Sequence, residues 1–137
     1  MNFTSVRFIT TDFERLASFY ETVSGQQLVR VTSNFGELRT VWGSLAIGDT
    51  NTLAPFGGEL VASPAAKRMA IIELRVADVN ADYQLLATYL GDALVQGPTT
   101  MPWGNRSLLF RNPDGNLVNF FMPLTPAALE KFTHQPA

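Results

Sequence analysis

Residues 101–123, with the sequence MPWGNRSLLFRNPDGNLVNFFMP, contain the segment that decides the fold. At its centre, Asn112 can bond to backbone groups further along the turn, Pro113 presets φ for the next position, and Gly115 accepts a left-handed backbone. The segments on both sides are rich in Leu, Val and Phe, which favour β-strands. The sequence therefore predicts a hairpin of two antiparallel strands joined by a tight turn.

The chain repeats one structural plan after a shift of 66 residues, nearly half of its length. The shift aligns Asp12 with Asp78 and Gly25 with Gly91. Four further matches pair Val6 and Phe8 with Ile72 and Leu74, and Leu28 and Val29 with Leu94 and Val95. Because these matches fall on predicted strands, helix caps and turns, we expect two modules with the same fold.

The first module begins with the alternation typical of a strand that has one face against a helix. Thr11 and Glu14 match a capping box, which predicts the start of a helix, and Gly25 predicts its end. The buried stripe of this helix is expected at Phe13, Leu16, Ala17, Tyr20 and Val23. A strand over residues 26–31 and two strands between Gly36 and Gly48, with a break near Gly43, give the order β-α-β-β-β.

The second module has the same predicted order. Asp78 is the expected N-cap of its helix, and Gly91 is the expected end. The buried positions are Ile72, Leu74 and Val76 on the strand and Val79, Tyr83, Leu86 and Leu90 on the helix. A strand at residues 93–96, a loop through Pro98 and Pro102, and the hairpin complete the module.

These elements predict a single domain of the α+β class, which a chain of 137 residues is long enough to fold. We expect module one at residues 1–48, a linker rich in Gly, Pro, Ala and Ser at residues 49–67, and module two at residues 68–123. Residues 124–137 form a C-terminal helix and tail. Pro126 in the first turn predicts that this helix starts at Thr125.

Composition excludes several classes of function. Ten basic and twelve acidic residues give a net charge of −2 without charged runs, so neither nucleic-acid binding nor a membrane surface is favoured. No apolar run approaches the roughly 18 residues that span a bilayer, and the first residues lack the features of a signal peptide. The absence of cysteine excludes disulfides and thiolate chemistry. We expect a cytoplasmic protein.

The chain has two β-α-β-β-β modules, and the second ends in a hairpin with an Asn-Pro-Asp-Gly-Asn turn. This arrangement resembles the glyoxalase, bleomycin-resistance and extradiol dioxygenase superfamily, also called the vicinal oxygen chelate fold. The resemblance covers residues 6–123 and includes the end of the first helix at Ser18, Phe19 and Tyr20. It implies that the modules curl their mixed sheets into an open barrel around a ligand cavity. It also implies a homodimer.

Catalytic members of that family hold a divalent metal through His and Glu side chains. At the positions that the resemblance implies, this chain has Ser5, Ile71 and Asn119, which are poor metal ligands. The single histidine, His134, lies in a tail that is expected to fray. We therefore expect no divalent metal and no other cofactor, and the resemblance does not extend to a metal-dependent glyoxalase or dioxygenase.

Strand alternation predicts the residues that face the cavity. They are Ser5, Arg7 and Ile9, then Ile71, Glu73 and Arg75, and finally Leu117, Asn119 and Phe121. Arg7 and Glu73 occupy equivalent places in the repeat, so an ion pair between them is a hypothesis, with either a structural or a ligand-binding role. Glu73 is also a weak candidate for a general base.

Aromatic residues near strand ends and in the proline-bounded loop are further candidates for contact with a planar ligand. Trp103 and Trp42 are the main ones, with Phe35, Phe56 and Met101 as additional candidates and Asn105 and Arg106 as polar neighbours of Trp103. For each of these aromatic residues taken singly, packing in the core or in a dimer interface is the more common role, and a solvated strand end explains Asn105 and Arg106 equally well.

Three functions are compatible with this pattern. The first is a metal-free protein that binds or sequesters an aromatic or antibiotic-like small molecule, as in the bleomycin-resistance branch. The second is a glyoxalase-like lyase or isomerase with a non-standard site, in which Glu73 acts alone or a partner supplies the metal. The third is a non-catalytic structural dimer. The missing metal ligands and the retained aromatic residues favour the first.

Overall fold

A computed structural model describes residue 1 and residues 3–58, 62–64 and 70–133 of the chain. The chain divides into two compact units, Met1–Arg68 and Met69–Ala137. Within the described residues, each unit contains one four-stranded mixed sheet with helices, so the α+β class and the duplicated β-α-β-β-β plan are confirmed. None of the described helices is long and apolar enough to cross a membrane.

The elements follow the predicted order in both units. In the first unit they are β1 (Ser5–Thr10), α1 (Phe13–Ser24), β2 (Val29–Thr32), β3 (Phe35–Thr40) and β4 (Gly43–Asp49). In the second unit they are β5 (Ile71–Arg75), α2 (Val79–Leu90), β6 (Leu94–Thr100), β7 (Asn105–Arg111), β8 (Leu117–Pro123) and α3 (Pro126–Lys131). A 3₁₀ helix, Thr50–Phe56, lies inside the predicted linker, and a short one, Gly91–Ala93, follows α2.

The two sheets have the same topology. Their strand orders are β1-β4-β3-β2 and β5-β8-β7-β6, with a parallel pair at β1–β4 and at β5–β8 and antiparallel pairs elsewhere. Arg7 lies opposite Ala46 in the first parallel ladder, and Glu73 lies opposite Asn119 in the second. The repeat in the sequence is therefore also a repeat in hydrogen-bonded register.

Both long helices begin at an aspartate. The Asp12 carboxylate accepts a hydrogen bond from the Arg15 amide at 3.1 Å, and Asp78 accepts one from the Ala81 amide at 3.0 Å. The predicted capping box at Thr11 is therefore wrong by one residue, because the Asp12 carboxylate takes the capping role. The predicted caps at Asp78 and Gly91 and the helix end at Gly25, where φ is 68°, are correct.

The apolar stripe of α1 is buried as predicted, and α1 packs over β4 and β3. Val6 on β1 remains 44% exposed, because the helix does not cover this edge strand fully. In the second unit, Val79, Leu86 and Leu90 are buried and Tyr83 is half-buried. An edge-to-face contact between Phe110 and Phe120, with centroids 5.0 Å apart, fills the core under α2.

The strand β6 is longer than predicted. It continues through Pro98 to Thr100, where the sequence predicted a loop. The ladder to β7 shifts register between Gln96 and Thr99, and a proline is tolerated at such an irregularity on an edge strand because it need not donate to the ladder. The prediction of a loop at Pro98 is therefore wrong.

The hairpin turn is formed as the sequence predicts. The Asn112 side-chain oxygen accepts hydrogen bonds from the amides of Asp114 at 3.1 Å and Asn116 at 3.0 Å. The Gly115 amide donates to the Asn112 carbonyl at 2.9 Å, and Gly115 has a φ of 86°. The Asn112 side chain is buried, and the two hydrogen bonds that its oxygen accepts stabilise the turn.

A carboxylate on α1 holds the exposed edge strand β2. Glu21 accepts hydrogen bonds from the Leu28 amide at 3.0 Å and from two guanidinium nitrogens of Arg30, each at 3.0 Å. Arg30 also contacts Glu14 at 3.1 Å. The hydrogen bonds from Arg30 are the main reason that the pKa of Glu21 is lowered, and the Leu28 amide adds to the effect.

We predict that Glu21→Gln lowers the free energy of unfolding by roughly 0.5 to 1 kcal/mol at pH 7, the range for a partly exposed ion pair. Because the folded-state pKa of Glu21 is lowered, its contribution is present above the unfolded value near 4.5 and is lost as the pH falls through the folded pKa. Urea unfolding at pH 7 and pH 3 measures the loss of free energy of unfolding and its dependence on pH. Glu130→Gln on α3 is the control, and an equal effect of Glu21→Gln at both pH values would contradict the prediction.

Candidate functional site

One face of the second sheet carries most of the predicted cavity residues. The ladders place Glu73 beside Asn119, Asn119 beside Leu109, and Phe121 beside both Arg75 and Ser107. Alternate residues of a strand share a face. This face therefore holds the predicted residues Ile71, Glu73, Arg75, Leu117, Asn119 and Phe121, together with Asn105, Ser107 and Leu109 of β7. The opposite face is buried against α2.

A depression of about 690 Å³ opens on this face, a volume typical of small-molecule sites. Its lining consists of Glu73, Trp103, Asn105, Phe121, Ala127, Ala128, Lys131 and Phe132. Three of these, Glu73, Trp103 and Phe121, were predicted as ligand-binding residues. The contribution of α3 and Phe132 was not predicted, because a short helix after the last strand gives no sequence signal for where it packs.

Glu73 and Asn119 form a hydrogen bond in the sheet. The Asn119 Nδ2 donates to Glu73 Oε2 at 3.0 Å. Since an ionised carboxylate can only accept, this bond fixes the amide orientation and directs Oδ1 away from Glu73. Asn119 is 8% exposed, so its amide is held in a buried and defined position.

Buried polar atoms on this face without a hydrogen-bond partner among the residues that the structure describes include Asn119 Oδ1, Ser107 Oγ and Asn105 Oδ1. Of these three residues, Asn105 is the one that lines the depression. Leaving such an atom unpaired costs about 1–3 kcal/mol, so buried polar groups normally bind protein, water or a ligand. The sequence marked Asn119 and Asn105 as candidates but missed Ser107, which is an ordinary strand residue until its burial is known.

The C-terminal segment packs over the same face. The Phe132 ring lies against Phe121 with centroids 5.2 Å apart, and its carbonyl accepts a hydrogen bond from Arg75 Nη1 at 3.1 Å. The Arg75 guanidinium also lies 5.7 Å from the Phe132 ring centroid. Arg75, predicted to face the cavity, therefore holds the segment that follows α3.

Trp103 stands at the mouth of the depression and is 64% exposed. The next residue, Gly104, has a φ of 94°, and its carbonyl accepts hydrogen bonds from the amides of Leu124 at 2.9 Å and Thr125 at 3.2 Å. A Cβ at Gly104 would collide with Thr125, the N-cap of α3. The loop that carries Trp103 is thus joined to the start of α3.

The predicted residues of the first unit have contacts within that unit. Arg7 lies over the Phe35 ring at 4.6 Å and over the Phe56 ring at 5.7 Å. Ser5 is exposed on β1, and Trp42, in the turn between β3 and β4, is 53% exposed. An Arg7–Glu73 ion pair would join the two units, so it stays a prediction.

The residues at the family's metal positions do not fit a divalent metal. Ile71 has no donor atom, Ser5 offers only a neutral hydroxyl, and the Asn119 amide nitrogen is committed to Glu73. Over the described part of the chain, no three His, Cys, Asp or Glu residues cluster in a way that could hold a metal. His134 lies outside the described residues.

We predict that Ser107→Ala leaves the free energy of unfolding of the ligand-free protein unchanged or raises it by up to about 1 kcal/mol, because it removes a buried and unpaired hydroxyl. Asn112→Ala is the matched comparison, since its buried side chain makes hydrogen bonds, and it should cost about 1–3 kcal/mol. Chemical denaturation measures both. If Ser107→Ala lowered the free energy of unfolding by more than about 1 kcal/mol, the hydroxyl would have a hydrogen-bond partner and the prediction would be wrong.

Known proteins share this fold over most of the chain. A protein from Burkholderia phytofirmans PsJN, described as a glyoxalase/bleomycin resistance protein/dioxygenase family enzyme, superposes with a TM-score of 0.76 at 16% identity, covering 90% of this chain and 100% of that one. A glyoxalase/bleomycin resistance protein/dioxygenase from Nocardioides gives 0.71 at 22% identity, covering 90% and 83%. TioX from Micromonospora sp. ML1 gives 0.66 at 25% identity, covering 90% and 100%.

No curated protein matches the chain by sequence. The sequence model of the Glyoxalase/Bleomycin resistance protein/Dioxygenase superfamily, however, matches residues 2–120. The resemblance carried by the duplicated modules and the Asn112–Asn116 turn is thereby confirmed. The chain belongs to the Glyoxalase/Bleomycin resistance protein/Dioxygenase superfamily.

Proposed function

We propose that this protein binds and sequesters an aromatic, antibiotic-like small molecule without a metal, and that the depression on the second sheet holds the ligand. The observation that carries the proposal is one cavity that combines aromatic side chains with a few polar groups, which are Glu73, Asn105 and Lys131. Pockets for small molecules are mostly apolar and contain a few fixed polar groups. The face of β5, β8 and β7 has this composition.

Aromatic recognition is supported by three side chains that differ in solvent exposure. Phe121 is 7% exposed and forms a fixed apolar floor, while Phe132 packs against it. Trp103 is largely exposed beside them, although burying a tryptophan ring is strongly favourable. A planar ligand placed in the depression would cover the Trp103 ring and gain that apolar contact.

Sequestration is favoured over catalysis by the chemistry of the site. Glu73 is the carboxylate in the lining, and one of its oxygens accepts the hydrogen bond from Asn119. A general base needs a partner that stabilises the charge that develops on the substrate. The residues at the family's metal positions do not fit the Lewis acid that supplies this stabilisation in catalytic members.

We predict that aromatic compounds that bind in the depression raise the melting temperature, because a ligand at 100 times its dissociation constant stabilises the folded state by about 2.7 kcal/mol. Trp103→Ala should reduce the affinity about tenfold or more, the loss expected for one stacked ring. Tyr89→Ala, a half-exposed aromatic residue on α2, is the matched control. Thermal-shift screening of aromatic antibiotics and small acids measures the effect, and no shift across the library would favour a structural role.

We predict that the purified protein contains no stoichiometric Ni, Zn, Fe or Mn and that EDTA leaves ligand-induced stabilisation unchanged. The physical reason is the donor set of Ser5, Ile71 and Asn119, which lacks imidazole and carboxylate groups. Elemental analysis and ligand titration before and after chelation measure both. One bound metal per chain would overturn the metal-independent proposal and support the enzyme alternative.

A further inference from the structure

We infer, building on the proposed function, that the ligand is an aromatic zwitterion: its protonated amine bonds to Glu73 and Asn105 in the lining of the depression, and its carboxylate approaches Lys131. The hydrogen-bond acceptors and the charged side chains in the lining of the depression favour this class of ligand.

Two residues of the lining offer hydrogen-bond acceptors to a ligand. The Glu73 carboxylate accepts through both oxygens, and one of them, Oε2, already accepts a hydrogen bond from Asn119. Asn105 Oδ1 is an acceptor without a hydrogen-bond partner among the described residues. These two acceptors are complementary to a ligand with several N–H donors, as a protonated amine has.

The register places both acceptors on the same face of the sheet, Glu73 on β5 and Asn105 on β7. Asn119 pairs with Glu73 on one side and Leu109 on the other, and Ser107 is the residue two positions before Leu109 on β7. Asn105 is a further two positions along the same face and lines the depression together with Glu73. The acceptors are thus set on rigid strands, which keeps them oriented before a ligand arrives.

A positive charge lies in the same lining. Lys131, at the end of α3, lines the depression, and its Nζ is 5.4 Å from the Phe132 ring centroid. A ligand that is only cationic would pair with Glu73 but would place its charge in the same depression as the Lys131 ammonium, which repels it.

A ligand that is only anionic would pair with Lys131 but would meet the Glu73 carboxylate and leave Asn105 Oδ1 without a donor. A zwitterion satisfies both groups, and its aromatic part can pack among Trp103, Phe121 and Phe132. A zwitterion is therefore the class of ligand that gives both the acceptors and Lys131 a partner.

The test uses four indole compounds with the same ring and different charges. Tryptophan and glycyl-tryptophan carry both charges at different separations, tryptamine carries only the amine, and indole-3-propionate carries only the carboxylate. Isothermal titration calorimetry with the full chain should show at least one zwitterion binding about tenfold or more tightly than tryptamine and indole-3-propionate.

Two variants assign the charges to residues. Glu73→Gln should weaken binding of the zwitterion and of tryptamine several-fold and leave indole-3-propionate unchanged, because it removes the negative charge at the same size. Lys131→Gln should weaken the zwitterion and indole-3-propionate and leave tryptamine unchanged. Arg15→Gln, on α1 of the first unit, is the control for loss of a surface cation. Circular dichroism and melting curves check that each variant is folded.

The outcomes separate the inference from the proposed function. Equal affinity for all four compounds, or loss of binding in the variants without charge selectivity, would overturn the zwitterion and leave aromatic binding intact. Binding of neutral aromatic library compounds without binding of any of the four would do the same. No binding of any aromatic compound would overturn both proposals.

Discussion

The parallel pairing between the first and last strand of each module is the constraint on which the rest of the structure depends. In the second unit it aligns β5 with β8 so that Glu73 lies beside Asn119 and Arg75 beside Phe121. The Asn112 turn fixes the register of β7 on the other side of β8, which adds Ser107 and Asn105 to the same face. A slip of one residue would move these side chains to the face that packs on α2, where their polar groups could not be accommodated.

On this face, stability and the proposed binding of a ligand oppose each other. A core that maximised stability would replace Ser107 and Asn119 with apolar residues, because a buried polar atom without a partner is costly. Their presence is explained if ordered water completes the hydrogen bonds. Asn105 Oδ1 belongs to the lining of the depression, so a ligand bound there would complete its hydrogen bonds and be oriented by it, as expected of a binding site held on rigid strands.

The two modules use one scaffold for different contacts. At the same ladder position, the first unit places Arg7 opposite Ala46, and the guanidinium stacks over Phe35. The second unit places Glu73 opposite Asn119, and the two side chains bond to each other. The two modules share few identical side chains, because the backbone plan needs only the caps, the glycines and the strand alternation. The duplicated fold thus permits chemically different surfaces at equivalent positions.

The sequence by itself determined the duplicated plan, the aspartate cap of α2, the hairpin turn and the strand face that carries Glu73, Asn119 and Phe121. These features depend on local backbone preferences and on the two-residue period of a strand, which neighbouring residues in the chain reveal. Tertiary structure alone decided that β6 runs through Pro98 and that α3 and Phe132 cover the sheet face. It also decided that Ser107 is buried without a hydrogen-bond partner in the part of the chain that the structure describes. Those outcomes depend on which distant segments pack together, and the sequence pattern of one segment does not show which segments it packs against.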